Sequence, residues 1–212
     1  MSSKKESYFW TSYADLMTSM FFVMLVLFVL AIALQHKRIK GTQAQLDKIE
    51  EIQQATQTID STVFVYNTEY KRHTIRNVQV SFATQSAEIT DIPLPEREKL
   101  LHAGNVIYDF LQKARKGIPE AQYLLIVEGQ TSKDSYIENY ELSYKRALSL
   151  VKYWKRNNVS FDNLPNCELI ISGSGCSSTF REQPDNASNK NNQRFVIHIV
   201  PKPGIIENTD EK

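Results

Sequence analysis

The sequence predicts an α+β protein in two parts: one membrane-spanning helix near the start and a mixed-sheet domain behind it. Three observations lead there. Residues 16–34 carry no charge and are almost wholly apolar. Residues 78–82, 123–127, 168–171 and 195–200 are short apolar or alternating runs of strand length. Between them, segments starting near Glu96 and Asn139 place apolar residues at helical spacing.

The charge-free run at about 1.5 Å per residue reaches roughly 28 Å, close to the hydrocarbon thickness of a bilayer. Tyr8, Phe9, Trp10 and Tyr13 precede it as an interfacial aromatic belt. Asp15 sits at its near edge. An ionisable group at membrane depth costs on the order of 3 kcal/mol, so it either snorkels to the interface or faces a partner or water path. Ser12, Asp15 and Ser19 fall at i, i+3 and i+7 on one helix face, with Thr11 and Thr18 flanking it. A narrow polar stripe on an otherwise lipid-like surface, with Asp15 at its centre and Ser12 and Ser19 on either side, favours a packed, ion-handling face over a lipid anchor.

The chain has 212 residues and a net charge of +1, so no bulk attraction to nucleic acid is expected. Residues 1–9 read as a poorly ordered tail and 10–34 as the span. Residues 35–62 read as a polar juxtamembrane helical segment with a thin seam at Leu46, Ile49, Ile52, Ala55 and Ile59. The domain is placed at 63–203 and a flexible tail at 204–212. Charges flanking the span, Lys4 and Lys5 against Lys37, Arg38 and Lys40, lean slightly against an N-in orientation.

Within the domain, residues 63–66 and 78–82 read as strands. Ile92-Pro-Leu-Pro95 is a turn before a helix that carries Leu100, Ile107, Leu111 and Ala114 on one face and ends at Gly117 and Pro119. Residues 123–127 are a buried central strand. A second helix spans 139–156 with Tyr140, Ala147, Val151 and Trp154 toward the core. The strand at 168–171 is broken by Ser172-Gly-Ser-Gly175. A polar loop at 181–192 leads to the last strand, ended by Pro201 and Pro203. The core order is β-α-β-α-β-β, a mixed sheet with helices on one face. The cysteines, Cys167 and Cys176, either pair in an oxidising compartment or stand as a strand residue and a loop thiol. His36, His73, His102 and His198 lie in unrelated segments without metal spacing, and no nucleophile motif or phosphate loop is present, so neither an enzyme nor a cofactor is expected.

Glu128-Gly-Gln-Thr131, Asn139-x-x-Leu142-Ser143-x-x-Arg146-Ala147, Gly173-Ser-Gly175 and Asn192-Gln-Arg194 together resemble the OmpA-like peptidoglycan-binding domain. The resemblance covers residues 78–200 and implies a wall-binding site at Thr131, Ser132, Asp134, Asn139, Leu142, Ser143, Arg146 and Arg194. In that family an Asp in the first motif and the Arg of the second hold the diaminopimelate of the stem peptide. Here the Asp position is Ser132, the His before it is Gln130, and one Arg of the last motif is Gln193. Asp134, two residues on, is the candidate replacement carboxylate. A wall-binding domain lies outside the cytoplasmic membrane, which implies an N-in, single-pass inner-membrane protein.

The span and domain together resemble the B subunits of flagellar stators (MotB), with Tyr13-Ala-Asp15-Leu-Met-Thr18 carrying the match. The longer run from Phe9 to Phe22 resembles the B subunits of Zorya anti-phage motors more closely. The resemblance implies a homodimer threaded through a pentameric ring of multi-span A subunits, driven by H⁺ or Na⁺ taken up on Asp15. A flagellar stator subunit or a passive wall anchor are the alternative readings.

Overall fold

The computed structural model describes residues 3–57, 59–117, 119, 121–177 and 181–202; the predicted tail at 204–212 lies outside them. The chain divides into two compact units, residues 1–49 and 50–212.

The first unit is helical. Helix α1 runs from Ser3 to Gln57 without interruption. The span and the juxtamembrane helical segment are one continuous helix through Gln57, and the helix begins inside the predicted tail. Residues 35–57 are rich in Gln, Lys, Glu and Ala, which propagate a helix once it has started, and Gly41 alone does not stop it. Trp10–Lys40 is long and apolar enough to cross a membrane, and none of its most apolar window is buried by the protein itself. A helix that is apolar all round and uncovered by protein needs lipid as its solvent.

The second unit is an α+β domain. Strands β1 (Phe64–Asn67) and β2 (Arg72–Ile75) form an antiparallel hairpin. Helix α2 (Leu94–Gly117) follows, then β3 (Tyr123–Gly129), α3 (Asn139–Arg156), β4 (Cys167–Gly173) and β5 (Phe195–Pro201). The sheet order is β1-β2-β5-β3-β4. Strand β4 runs parallel to β3 through the α3 crossover, and β5 lies antiparallel between β3 and β2. Tyr123, Leu125 and Val127 of β3 join Leu100, Ile107, Leu111, Leu150 and Trp154 of the helices in one buried core. Trp154 Nε1 donates to Leu100 O at 2.8 Å, tying α3 to α2.

Three elements differ from the sequence reading. Residues 78–82 are extended but belong to no sheet. Their alternation is real, since Val80 and Phe82 are buried. Their amides, however, go to side chains: Gln79 N donates to Glu96 Oε2 and Phe82 N to Gln193 Oε1, at 2.9 and 3.1 Å. Period-two burial specifies an extended chain with one covered face, not a ladder partner. Strand β2 is not foreseen from the sequence because Arg72-His-Thr-Ile75 carries a single apolar residue. Tyr140, expected in the core, is 58% exposed; Leu142, Ala147 and Leu150 fill that side of α3 instead.

The seam at the end of α1 also resolves differently along its length. Leu46 and Ile49 are exposed, whereas Ile52 and Ile59 are buried in the domain core. His73 Nε2 lies 3.0 Å from Thr56 O, giving one of the helix's last carbonyls a partner.

Candidate functional site

The residues singled out in the domain gather where the C-terminal end of β3 meets the start of α3. Two glycines allow the close approach. A Cβ on Gly129 would collide with the Ser143 carbonyl oxygen, and one on Gly173 with Tyr144 N. Ser143 is fully buried; its Oγ donates to Tyr140 O at 2.8 Å and accepts from Gly175 N at 2.9 Å. Thr131 N donates to Gly175 O at 3.0 Å. Thus the Leu-Ser of the helix motif and the Gly-x-Gly turn are parts of one joint, and Leu142 packs beside it, buried.

Arg146 stands one turn further along α3, only 3% exposed. Its Nε donates to Ser86 O at 2.9 Å, and its guanidinium lies 4.3 Å from the Phe82 ring centroid, a cation–π contact. Burial lowers its pKa to about 10, against the favourable charges of Asp134 and Asp91. It therefore stays cationic at neutral pH. Asp134 Oδ1 accepts from Asn139 Nδ2 at 2.7 Å and from Tyr136 N at 3.0 Å. Asn139 Nδ2 also donates to Tyr136 O at 2.8 Å. Asp134 and Asn139 are thus one bonded pair whose charge favours the buried Arg146 cation, and Asp134 lines a surface cavity together with Gln85, Ser135, Tyr136, Ile137 and Glu138. A surface carboxylate complements the ammonium of an amino-acid end group, as a guanidinium complements its carboxylate.

Two other predicted residues, Ser132 and Arg194, each bond to a side chain distant in the sequence. Ser132 Oγ accepts from Gln193 Nε2 at 3.0 Å, and Arg194 Nε donates to Gln130 Oε1 at 3.0 Å. The three positions at which the chain departs from the family pattern are therefore all bonded to other side chains, Ser132 with Gln193 and Gln130 with Arg194. Gln130 Nε2 in turn donates to Glu128 Oε1 at 2.9 Å, and Ser174 Oγ to the same atom at 2.6 Å. Burial pushes the Glu128 carboxyl up, but hydrogen bonds from His198, Gln130 and Ser174 together outweigh it and hold it at about 2. His198 Nε2 lies 2.8 Å from Glu128 Oε2.

That last pairing is not visible in the sequence. The two residues are 70 apart, and the β3–β5 register alone makes them diagonal neighbours. Arg181 is likewise missed by sequence reasoning: its Nη2 donates to Thr131 O at 2.8 Å and its Nε pairs with Asp185 at 2.7 Å, holding the 181–192 loop to the site. Cys167 and Cys176 are both free thiols, so the pairing considered from the sequence is not made here. Burial pushes the Cys167 thiol up to about 11, making it a packing residue rather than a nucleophile.

On α1, Ser12, Asp15 and Ser19 keep the one-face placement expected of a helix, and all three are exposed. Ser19 Oγ donates to Leu16 O at 2.9 Å and Thr18 Oγ1 to Ala14 O at 2.7 Å. These hydroxyl protons are used within the helix, which leaves oxygen lone pairs facing outward. Trp10 and Tyr13 pack edge to face at 6.4 Å one turn apart on α1.

No family model matches the chain, and neither does any curated protein. Among solved structures it is similar to a MotB-like protein of Desulfovibrio vulgaris, at 15% identity and a TM-score of 0.44, over 76% of this chain and 96% of that one. It is similar to the periplasmic domain of Helicobacter pylori MotB at 14% identity and a TM-score of 0.43, over 65% and 88%. The OmpA-like domain of a Francisella tularensis protein aligns at 18% identity and a TM-score of 0.39, over 65% and 79%.

Proposed function

We propose that this chain is the B subunit of an ion-driven rotary motor of the inner membrane, of the anti-phage defence type. In this reading its C-terminal domain binds peptidoglycan in the periplasm, residues 1–9 face the cytoplasm, and Asp15 carries the ion. The observation that supports wall attachment is the Asp134–Asn139 pair at a surface cavity, with the buried Arg146 cation held in place by the favourable charge of Asp134. The stem peptide of peptidoglycan offers the matching zwitterionic end group. Asp134 takes the role that the related pattern gives to the position of Ser132, whose oxygen is already engaged by Gln193.

The span supplies the other half. A motor of this class needs an acid that is neutral in a dry site and charged in a wet one. Each elementary charge moved across the membrane releases about 2.3 kcal/mol per 100 mV, enough to drive a ring step. Asp15 is the only acidic residue between Trp10 and Lys40. A homodimer whose two spans sit inside a pentameric ring of multi-span A subunits would place two such carboxylates at the ring wall, with H⁺ or Na⁺ as the ion.

Two measurements test the reading separately. In a sedimentation assay with purified peptidoglycan, the wild-type chain in detergent should co-sediment, and Arg146→Ala should not while retaining a cooperative melt. Failure of the wild type to sediment ends the wall-binding half. Asp15→Asn should assemble normally yet abolish ion flux in vesicles carrying the A subunit, and with it protection against phage. Undiminished protection in that variant removes the motor half.

A further inference from the structure

Ile137 lines the cavity that holds Asp134 and Tyr136, and it is 95% exposed. Three residues on stands Tyr140, and one turn of α3 further Tyr144, 58% and 43% exposed. Neither tyrosine is needed to hold the helix, whose core positions include Leu142, Ala147, Leu150 and Trp154. Tyr140 is tied to the site by a second route. A Cβ built on Gly175 would come within 3.4 Å of its Cγ, and the Gly175 carbonyl accepts from Thr131 N. The apolar stripe thus starts at the lip of the cavity and runs along α3.

Its borders are polar. Glu138, Glu141 and Lys145 flank the tyrosines, all exposed, with Lys145 ion-paired to Glu141. A narrow aromatic strip between charged groups suits a ligand that is apolar on its face and hydroxylated at its rim. A pyranose ring has that form: its faces present partly positive C–H groups, which the negative face of an aromatic ring attracts. Side chains one turn apart on a helix are about 5–6 Å from one another, close to the length of one sugar unit in a glycan chain. In peptidoglycan the stem peptide is covalently joined to the glycan. Asp134 bonds to Asn139, the neighbour of Tyr140 in sequence, and two extended residues of peptide reach about 7 Å. A stem peptide held at Asp134 therefore brings its own sugar to the stripe.

We infer that Ile137, Tyr140 and Tyr144 form a glycan subsite, with sugar rings stacked on the two tyrosines while the stem peptide occupies the cavity beside Asp134. The inference rests on the wall-binding reading and extends it from peptide to sugar.

Calorimetric titration of the full chain in detergent compares two ligands: the free stem tripeptide and the same tripeptide carried on its wall disaccharide. The wild type should bind the disaccharide-tripeptide about tenfold more tightly, the effect of two such aromatic contacts. Tyr140→Ser with Tyr144→Ser, folded by circular dichroism, should lose that preference and keep the tripeptide affinity. Tyr140→Phe with Tyr144→Phe should keep both. Equal wild-type affinities for the two ligands, or an undiminished preference in the serine variant, overturn the inference and leave peptide binding standing. Binding of neither ligand removes the wall-binding reading and the subsite with it. A serine variant altered in oligomeric state, with its sugar preference unchanged, assigns the stripe to contacts between copies and overturns the inference as well.

Discussion

Arg146 shows how one side chain serves two needs. Its Nε bond to Ser86 O and its stacking on Phe82 fasten the 78–88 segment to α3, while its buried charge is favoured by that of Asp134. Asp134 and Ser132 compete for the carboxylate role, and their environments separate them. Asp134 is grouped with Asn139 and Arg146; Ser132 is grouped with Gln193. Asp134→Ala is therefore expected to reduce peptidoglycan co-sedimentation about as much as Arg146→Ala, and Ser132→Ala to leave it near wild type. The same residues show what sequence spacing reaches: it marks Asn139, Leu142, Ser143 and Arg146 as a set, because one helix fixes their relative positions. It does not show that Ser132 bonds to Gln193 and Gln130 to Arg194, because those bonds cross 61 and 64 residues of chain.

At the scale of elements, α3 is the part on which most else depends. It crosses over between the parallel strands β3 and β4, supplies the site residues from its first turns, and anchors α2 through Trp154. Trp154→Phe keeps most of the buried volume and removes the bond to Leu100 O. It should lower stability by about 1–2 kcal/mol in urea denaturation and leave peptidoglycan binding per folded molecule unchanged. Gly129→Ala acts at the other end of the helix, forcing a methyl group against the Ser143 carbonyl. Overpacking of this kind costs about 1–3 kcal/mol, and here the shift of α3 should also weaken wall binding. The helices are legible because an apolar stripe of 3.6-residue period arises almost only from a helix with one covered face. The segment at 78–82 reads as a strand, yet joins no sheet, because burial on one face and pairing at the edge are independent properties of an extended chain.

For the whole domain, pH sets stability through two buried groups. His73 is 1% exposed, and burial lowers its pKa below the ordinary 6.5 despite its contact with Thr56 O. The unfolded chain takes up that proton first, so stability is full above pH 6.5 and falls as pH drops through that value. Glu128 is held at about 2 against an ordinary 4.5, so its contribution is present above pH 4.5 and is lost as pH falls toward 2. Thermal melts between these limits should show two successive declines, the first removed in His73→Gln and the second in Glu128→Gln. Both groups act through long-range contacts, His73 with the end of α1 and Glu128 with β5, and neither is recognisable from its neighbours in the chain.

The sequence by itself determined the membrane-length helix, the position of Asp15 on its polar stripe, the α+β class, and the motif that sets Arg146 on α3. Each is a local property: hydrocarbon thickness, helical period and strand length leave their mark on adjacent residues. Only the tertiary structure decided that residues 78–82 bond to side chains, that Ser132 joins Gln193, and that among the described residues β4 pairs on one side only. These depend on which distant segments meet, and hydrogen-bonding partners and edge exposure are settled by that meeting rather than by any residue's own preference.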